Sequence, residues 1–101
     1  VGDADLSFRR DGSAELSYRW LNDRLWQAAR DLGQPEFSGD APLDVTDDHT
    51  AFGEAGIPAT LLIDFKYPYW HTSQDTIDKC SKKSLGVTGR VLLAALVDRP
   101  L

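Results

Sequence analysis

The run Pro58-Ala59-Thr60-Leu61-Leu62-Ile63 is unbroken, apolar and partly β-branched, and it has the length of a strand. A strand without a hydrophilic face belongs where helices cover a sheet from both sides. Helical patterns flank it in the sequence. Tyr18, Leu21, Leu25, Ala28 and Leu32 recur at steps of three and four, which predicts a helix over roughly 14 to 32, capped by Ser13 and stopped by Gly33 before Pro35. Trp20 and Trp26 lie off this stripe and imply either a wide buried face, the simpler reading, or a contact beyond the chain. Ser81 caps a last predicted helix over about 82 to 97. Its Leu85, Val91, Leu92, Ala95 and Leu96 are expected inside, and Gly86 and Gly89 would permit close backbone approach. The fold class that follows is α/β: a partial three-layer α/β/α sandwich in which helices flank a short mixed sheet.

Shorter elements complete the reading. Leu6 and Phe8 predict an extended segment that ends at the turn-like Asp11-Gly12, and a second short strand is possible near Phe37 within an otherwise polar loop from Gln34 to Asp48. Thr50 to Ala55 reads as a short helix closed by Gly56. Asp64 to Lys79 has neither period, yet it holds Phe65, Tyr67, Tyr69 and Trp70 beside His71. Long aromatic loops after a buried strand are usually functional, and in α/β folds they gather at the carboxyl ends of the strands. Two or three strands make a thin sheet, and the chain begins without Met or a targeting segment, so it is expected to be part of a larger domain.

Charge narrows the partners. A net charge of −5 without a Lys/Arg cluster argues against nucleic acid or an anionic membrane, and no apolar run is long enough for a membrane span. The imbalance sits in residues 1 to 48, which carry 11 acids against 5 bases, as befits a solvated acidic surface. The single cysteine, Cys80, excludes an internal disulfide and is expected to pack.

Two histidines offer chemistry, and both stand beside acids or aromatics: Asp47-Asp48-His49 and Trp70-His71-Thr72. A neutral imidazole ligates zinc well, but a catalytic zinc needs about three protein ligands, so spacing alone favours a histidine that caps a helix or hydrogen-bonds within a loop. Neither a phosphate-binding glycine loop nor a nucleophile elbow is present, and no thiol-protease signature surrounds Cys80.

Taken together, Asp47-Asp48-His49-Thr50-Ala51-Phe52-Gly53-Glu54-Ala55-Gly56-Ile57-Pro58, Leu62-Ile63-Asp64-Phe65-Lys66-Tyr67-Pro68-Tyr69-Trp70-His71-Thr72, Asp75-Thr76-x-Asp78-Lys79 and Ser84-Leu85 resemble the C-terminal part of zinc-dependent exopeptidases. That family holds bacterial aminopeptidases, glutamate carboxypeptidase II and, as close relatives, the glutaminyl cyclases. Val1 to Leu6 also resembles the stretch after the family's inner strand. The resemblance implies that residues 1–101 are the C-terminal segment of one zinc-peptidase catalytic domain. It implies His71 as a zinc ligand, with one or two zinc ions in the complete protein. Asp47 and Asp48 would act behind the ligands or on the substrate amine. Trp70 stands where aminopeptidases carry a tyrosine that stabilises the tetrahedral intermediate and where cyclases carry a tryptophan that lines the pocket. His49, Tyr67 and Tyr69 are candidates for substrate binding, while Leu61 or Leu62 stands where animal cyclases carry a histidine.

The family's other ligands and its general-base glutamate are not among these residues, so the chain alone is expected to be inactive. The activity implied first is zinc-dependent hydrolysis of N-terminal peptide bonds, on a peptide with a free N-terminus. Glutaminyl-peptide cyclotransfer on the same fold is the alternative, and a non-catalytic binding domain is the third. The resemblance favours export to the periplasm or beyond the cell, and the remainder of the catalytic domain, upstream of Val1, is the expected partner.

Overall fold

A computed structural model describes residues 1–97. Among these residues four helices carry the architecture: α1 (Gly12–Ser17), α2 (Arg19–Asp31), α3 (Asp48–Glu54) and α4 (Lys82–Val97), with a 3₁₀ turn at Ile77–Lys79.

The helix expected over 14 to 32 is two helices. Tyr18 (φ −140°, ψ 45°) ends α1 and begins α2. Its side chain leaves the stripe to donate a hydrogen bond from its hydroxyl to the Gly53 carbonyl at the end of α3, 2.9 Å away. Asp11, rather than Ser13, caps α1: its carboxylate accepts from the Ala14 N–H at 3.1 Å and from the Ser13 hydroxyl at 2.8 Å. The far end behaves as the sequence predicts, because Gly33 adopts φ 66° and the Gly33 and Gln34 N–H groups close back on Arg30 and Ala29.

The core forms where α2 and α4 pack over the early extended segment. Leu25, Trp26, Ala28 and Ala29 of α2 meet Val87, Val91 and Ala95 of α4, with Leu6, Phe8 and Phe37 beneath. Phe37 stands edge-on to both Phe8 and Trp26, each with ring centroids 5.1 Å apart. Trp26 is buried and donates its indole N–H to the Ser38 carbonyl at 2.8 Å, whereas Trp20 is 53% exposed. The two off-stripe tryptophans therefore have different environments.

On α4 the Ser81 cap is present, its hydroxyl accepting from the Ser84 N–H at 3.0 Å. The buried face runs through Ser84, Val87, Thr88, Val91 and Ala95, so Leu85, Leu92 and Leu96, expected inside, lie exposed. The steps from Val87 to Val91 to Ala95 each span one helical turn and set that face. Nothing approaches the α-carbon of Gly89, and at Gly86 only the Arg90 guanidinium does. Cys80 is exposed rather than packed, with its sulfur against Gly2.

The sheet is where expectation and structure part. Among the described residues the extended pairings are isolated bridges: Asp3 with Cys80, Phe8 with Phe37 and Asp11 with Leu43. Residues 58–63 form no ladder, although Leu61, Leu62 and Ile63 are half-buried and Leu62 packs against the core. A ladder needs backbone pairing with an extended neighbour, and among the described residues this segment makes no such backbone pairing. No described helix is long and apolar enough to cross a membrane.

Phe8, with no exposed surface, is the residue on which the core closes. Phe8→Ala should cost about 3–5 kcal/mol in the full-length protein by denaturant unfolding. Leu16→Ala, at a position 89% exposed, should change stability by under about 0.5 kcal/mol.

Candidate functional site

The loop from Asp64 to Lys79 is organised by its aromatic rings. Phe65 packs on Trp70 with ring centroids 5.1 Å apart, and Trp70 packs on His71 at 4.1 Å. On the other flank Tyr67 stands edge-on to Tyr69 at 5.4 Å, and the Lys79 ammonium lies 4.6 Å from the Tyr69 ring centre. A tight turn carries the tip: Thr72 donates from its N–H and its hydroxyl to the Tyr69 carbonyl, and Asp75 N–H returns to Thr72.

At that tip His71 has φ 56°, the one left-handed residue with a side chain among those described. Its imidazole is exposed and makes no hydrogen bond among the described residues. A left-handed backbone costs a residue with a β-carbon about 1–2 kcal/mol, and such outliers cluster at functional sites.

Beside the loop lies a groove of about 220 Å³ lined by Asp3, Ile63, Asp64, Tyr67, Trp70, Asp75 and Lys79. The Tyr67 hydroxyl donates to the Asp75 carboxylate at 2.5 Å. Desolvation and this bond raise the phenol above its ordinary pKa of 10.0. Asp64 is buried at the end of the apolar run, where its carboxylate accepts from the Ser7 and Lys66 N–H groups at 3.2 and 3.0 Å. Burial, and then the neighbouring Asp3 carboxyl, raise its pKa, outweighing the two N–H donors that favour the charge.

Asp47 and Asp48 stand at the start of α3 and are not among the residues that line this groove. Asp47 is the cap, its carboxylate accepting from the Asp48 N–H at 2.8 Å while the Thr50 hydroxyl accepts from the Asp47 N–H at 3.2 Å. This reciprocal cap starts α3 two residues before the predicted Thr50. Asp48 is exposed in the first turn, with its carboxylate unpaired among the described residues.

His49 is turned inward. Its Nε2 lies 3.1 Å from an Asp11 carboxylate oxygen, both side chains are buried, and its Nδ1 has no partner among the described residues. It borders a separate cavity of about 270 Å³ with Ser13, Ser17, Tyr18 and Glu54, not the groove beside Trp70. The structure thus joins Tyr67 and Trp70 at one groove and puts Tyr69 and His71 on the same loop, while Asp47, Asp48 and His49 belong to α3.

Sequence reasoning did not single out Asp11 or Asp64. The signals were present: Asp11 stands three residues before Ala14, the spacing of an N-cap, and Asp64 is the first acid after a continuous apolar run.

Against a zinc site, these residues fit as one corner. An exposed imidazole with both ring nitrogens unengaged can ligate a metal. No group of three or more His, Cys, Asp or Glu among the described residues is arranged to complete a shell.

The profile of Peptidase family M28 matches residues 2–96, nearly the whole chain. The chain belongs to peptidase family M28. Among solved structures it is similar to the glutaminyl cyclase of Fimbriiglobus ruber, with 34% identity and a TM-score of 0.92 over 98% of this chain and 34% of that one. It is similar to a leucine aminopeptidase precursor from Bacteroides thetaiotaomicron VPI-5482, with 28% identity and a TM-score of 0.90 over 99% and 36% of the two chains. A Zn-dependent exopeptidase from Parabacteroides distasonis ATCC 8503 follows at 25% identity and a TM-score of 0.87, over 98% and 37%. No curated protein matches the chain. This M28 chain spans about a third of the length of these structures and superposes on that part of their exopeptidase and cyclase fold.

The raised Asp64 pKa has a defined consequence for stability. The folded state of this M28 chain holds that proton more tightly than the unfolded chain, so the associated stability is full below the ordinary aspartate value of 3.8 and is lost as pH rises through the raised one. In the full-length protein, denaturant unfolding followed upward from about pH 4 should show a loss of stability that Asp64→Asn abolishes. An identical pH profile in the variant would contradict the assignment.

Proposed function

We propose that the full-length protein is a zinc-dependent glutaminyl-peptide cyclotransferase to which this chain contributes His71 as a metal ligand and Trp70 as a wall of the substrate pocket. The observation that carries this reading is the packing of the Trp70 indole on the His71 ring at 4.1 Å, with Phe65 behind it. An indole offers a single N–H and no hydroxyl, so position 70 lacks the phenol that the aminopeptidase resemblance calls for. The 34% identity to a glutaminyl cyclase, against 28% to a leucine aminopeptidase precursor, supports the same choice.

The chemistry suits an aromatic pocket. In cyclisation the α-amine of an N-terminal glutamine attacks its own side-chain amide carbon; an N–C bond forms, the C–NH₂ bond breaks and ammonia leaves with a proton from the amine. Water is neither reactant nor product, and an apolar wall that excludes it protects cyclisation from competing hydrolysis. Bound zinc would supply Lewis-acid polarisation of the amide carbonyl. On the family resemblance Asp47, which caps α3, would take part in moving the proton, with Asp48 exposed beside it in the first turn. Tyr67 and Tyr69 flank the aromatic wall and would shape the entrance for a peptide with a free amino end. Export to the periplasm or outside the cell forms part of this proposal on family resemblance.

Aminopeptidase action on the same fold is the second reading, favoured by the M28 match and by the aminopeptidase and exopeptidase similarities. Full-length protein assayed on glutaminyl and leucyl substrates decides between them. Ammonia release from the glutaminyl peptide, with leucyl hydrolysis at least about 100-fold slower, is the expected result, and the reverse preference would overturn it. His71→Ala should lower kcat/KM for the preferred substrate by at least about 100-fold with the fold intact. An unchanged rate would remove His71 from the site.

A further inference from the structure

His71 lies midway between Tyr67 and Asp75, four residues from each, and those two side chains meet across the loop. We infer that the Tyr67–Asp75 hydrogen bond is a clasp that positions His71, holding its backbone in the left-handed conformation from which the imidazole reaches a metal. Tyr67 and Asp75 are positioning residues in this account; neither ligates the metal.

Four observations converge on it. His71 is the one residue with a side chain at positive φ among those described, so its conformation must be imposed from outside the residue. The Tyr67 hydroxyl lies 2.5 Å from the Asp75 carboxylate, the short distance of a charge-assisted bond. Within the closed segment the bonds run one way: Thr72 N–H and hydroxyl to the Tyr69 carbonyl at 3.0 and 2.6 Å, then Gln74 N–H to the Thr72 hydroxyl and Asp75 N–H to the Thr72 carbonyl, each at 3.2 Å. These bonds wind the tip without fixing its base; the Tyr67–Asp75 bond is the side-chain hydrogen bond that joins the two legs, with the Lys79 ammonium over the Tyr69 ring as a further contact between them. The imidazole itself makes no hydrogen bond among the described residues, so only its backbone and the Trp70 ring orient it. The phenol, raised above its ordinary pKa of 10.0, remains a proton donor to Asp75 throughout the neutral range.

This inference rests on His71 being a metal ligand, and the experiment separates the two claims. Zinc affinity of the full-length protein, stripped of metal and titrated with zinc alone against a chromophoric chelator, is the readout. It is paired with the thermal unfolding midpoint of the metal-free form. Tyr67→Phe and Asp75→Ala should each weaken zinc binding about 10–100-fold, the range for groups that orient a ligand from behind. The double variant should be no weaker than either single one, because both remove the same bond. Asp75→Asn, which retains an acceptor oxygen for the phenol, should stay within about threefold of wild type. Metal-free midpoints should be unchanged, since neither side chain belongs to the core.

Unaltered zinc affinity in Tyr67→Phe, with weakened affinity in His71→Ala, would overturn the clasp and leave the ligand standing. Unaltered affinity in His71→Ala would overturn both. Additive losses in the double variant would also overturn the clasp, as would a lowered metal-free midpoint accounting for the loss. Should Tyr67→Phe fail to fold, the contrast between Asp75→Ala and Asp75→Asn gives the same decision.

Discussion

A β-carbon disfavours the left-handed backbone, and His71 adopts it at φ 56° with no glycine to relieve the conflict. The site depends on that conflict being resolved by the surroundings. A strained residue persists only where its neighbours over-determine it, and here the neighbours are aromatic rings and short polar bonds on a loop that has no regular secondary structure at its tip. Two of those rings, Tyr67 and Trp70, also line the groove. Rigidity of the loop and shape of the pocket therefore come from one set of side chains, and Trp70 serves both by packing on His71 and lining the groove.

Among the helices, the buried Asp11 carboxylate ties the scaffold. Asp11 caps α1 and meets His49 of α3 through its side chain, while its carbonyl accepts from Asn22 of α2 at 3.2 Å. Asn22 is itself fully buried and accepts from the Thr60 hydroxyl at 2.6 Å, which brings the apolar run 58–63 onto the same junction. Polar groups this deep in a fold are tolerated because they satisfy one another, and each bond also fixes one helix against the next. The start of α3, with Asp47 and Asp48, thus takes its position from a residue far away in the sequence.

Periodicity made most of the helices legible, and side chains that break a period account for the differences. The stripe through Leu25 and Ala28 is real, but it includes Tyr18, whose hydroxyl has a partner on α3, and one long helix becomes two. Capping chemistry was readable at Ser81 and Gly33, where the partner is local, and misread at Asp11, where Ser13, two residues on, donates to the Asp11 carboxylate instead of capping the helix itself. The apolar run 58–63 carries the composition of a buried strand, yet strand formation needs a neighbouring backbone that composition cannot supply. At the site, the aromatic loop and its histidine stood out by residue type. Their arrangement did not, because the left-handed turn at a non-glycine residue and the bond from Tyr67 to Asp75 leave no periodic trace.

The central claim is that the His71 imidazole holds a metal. Anomalous diffraction at the zinc edge from crystals of the full-length protein tests it most directly. The account predicts an anomalous peak about 2.0–2.1 Å from a His71 ring nitrogen, with the left-handed backbone retained. A peak coordinated entirely by other residues, or a zinc-loaded protein in which His71 turns away from the metal, would contradict it.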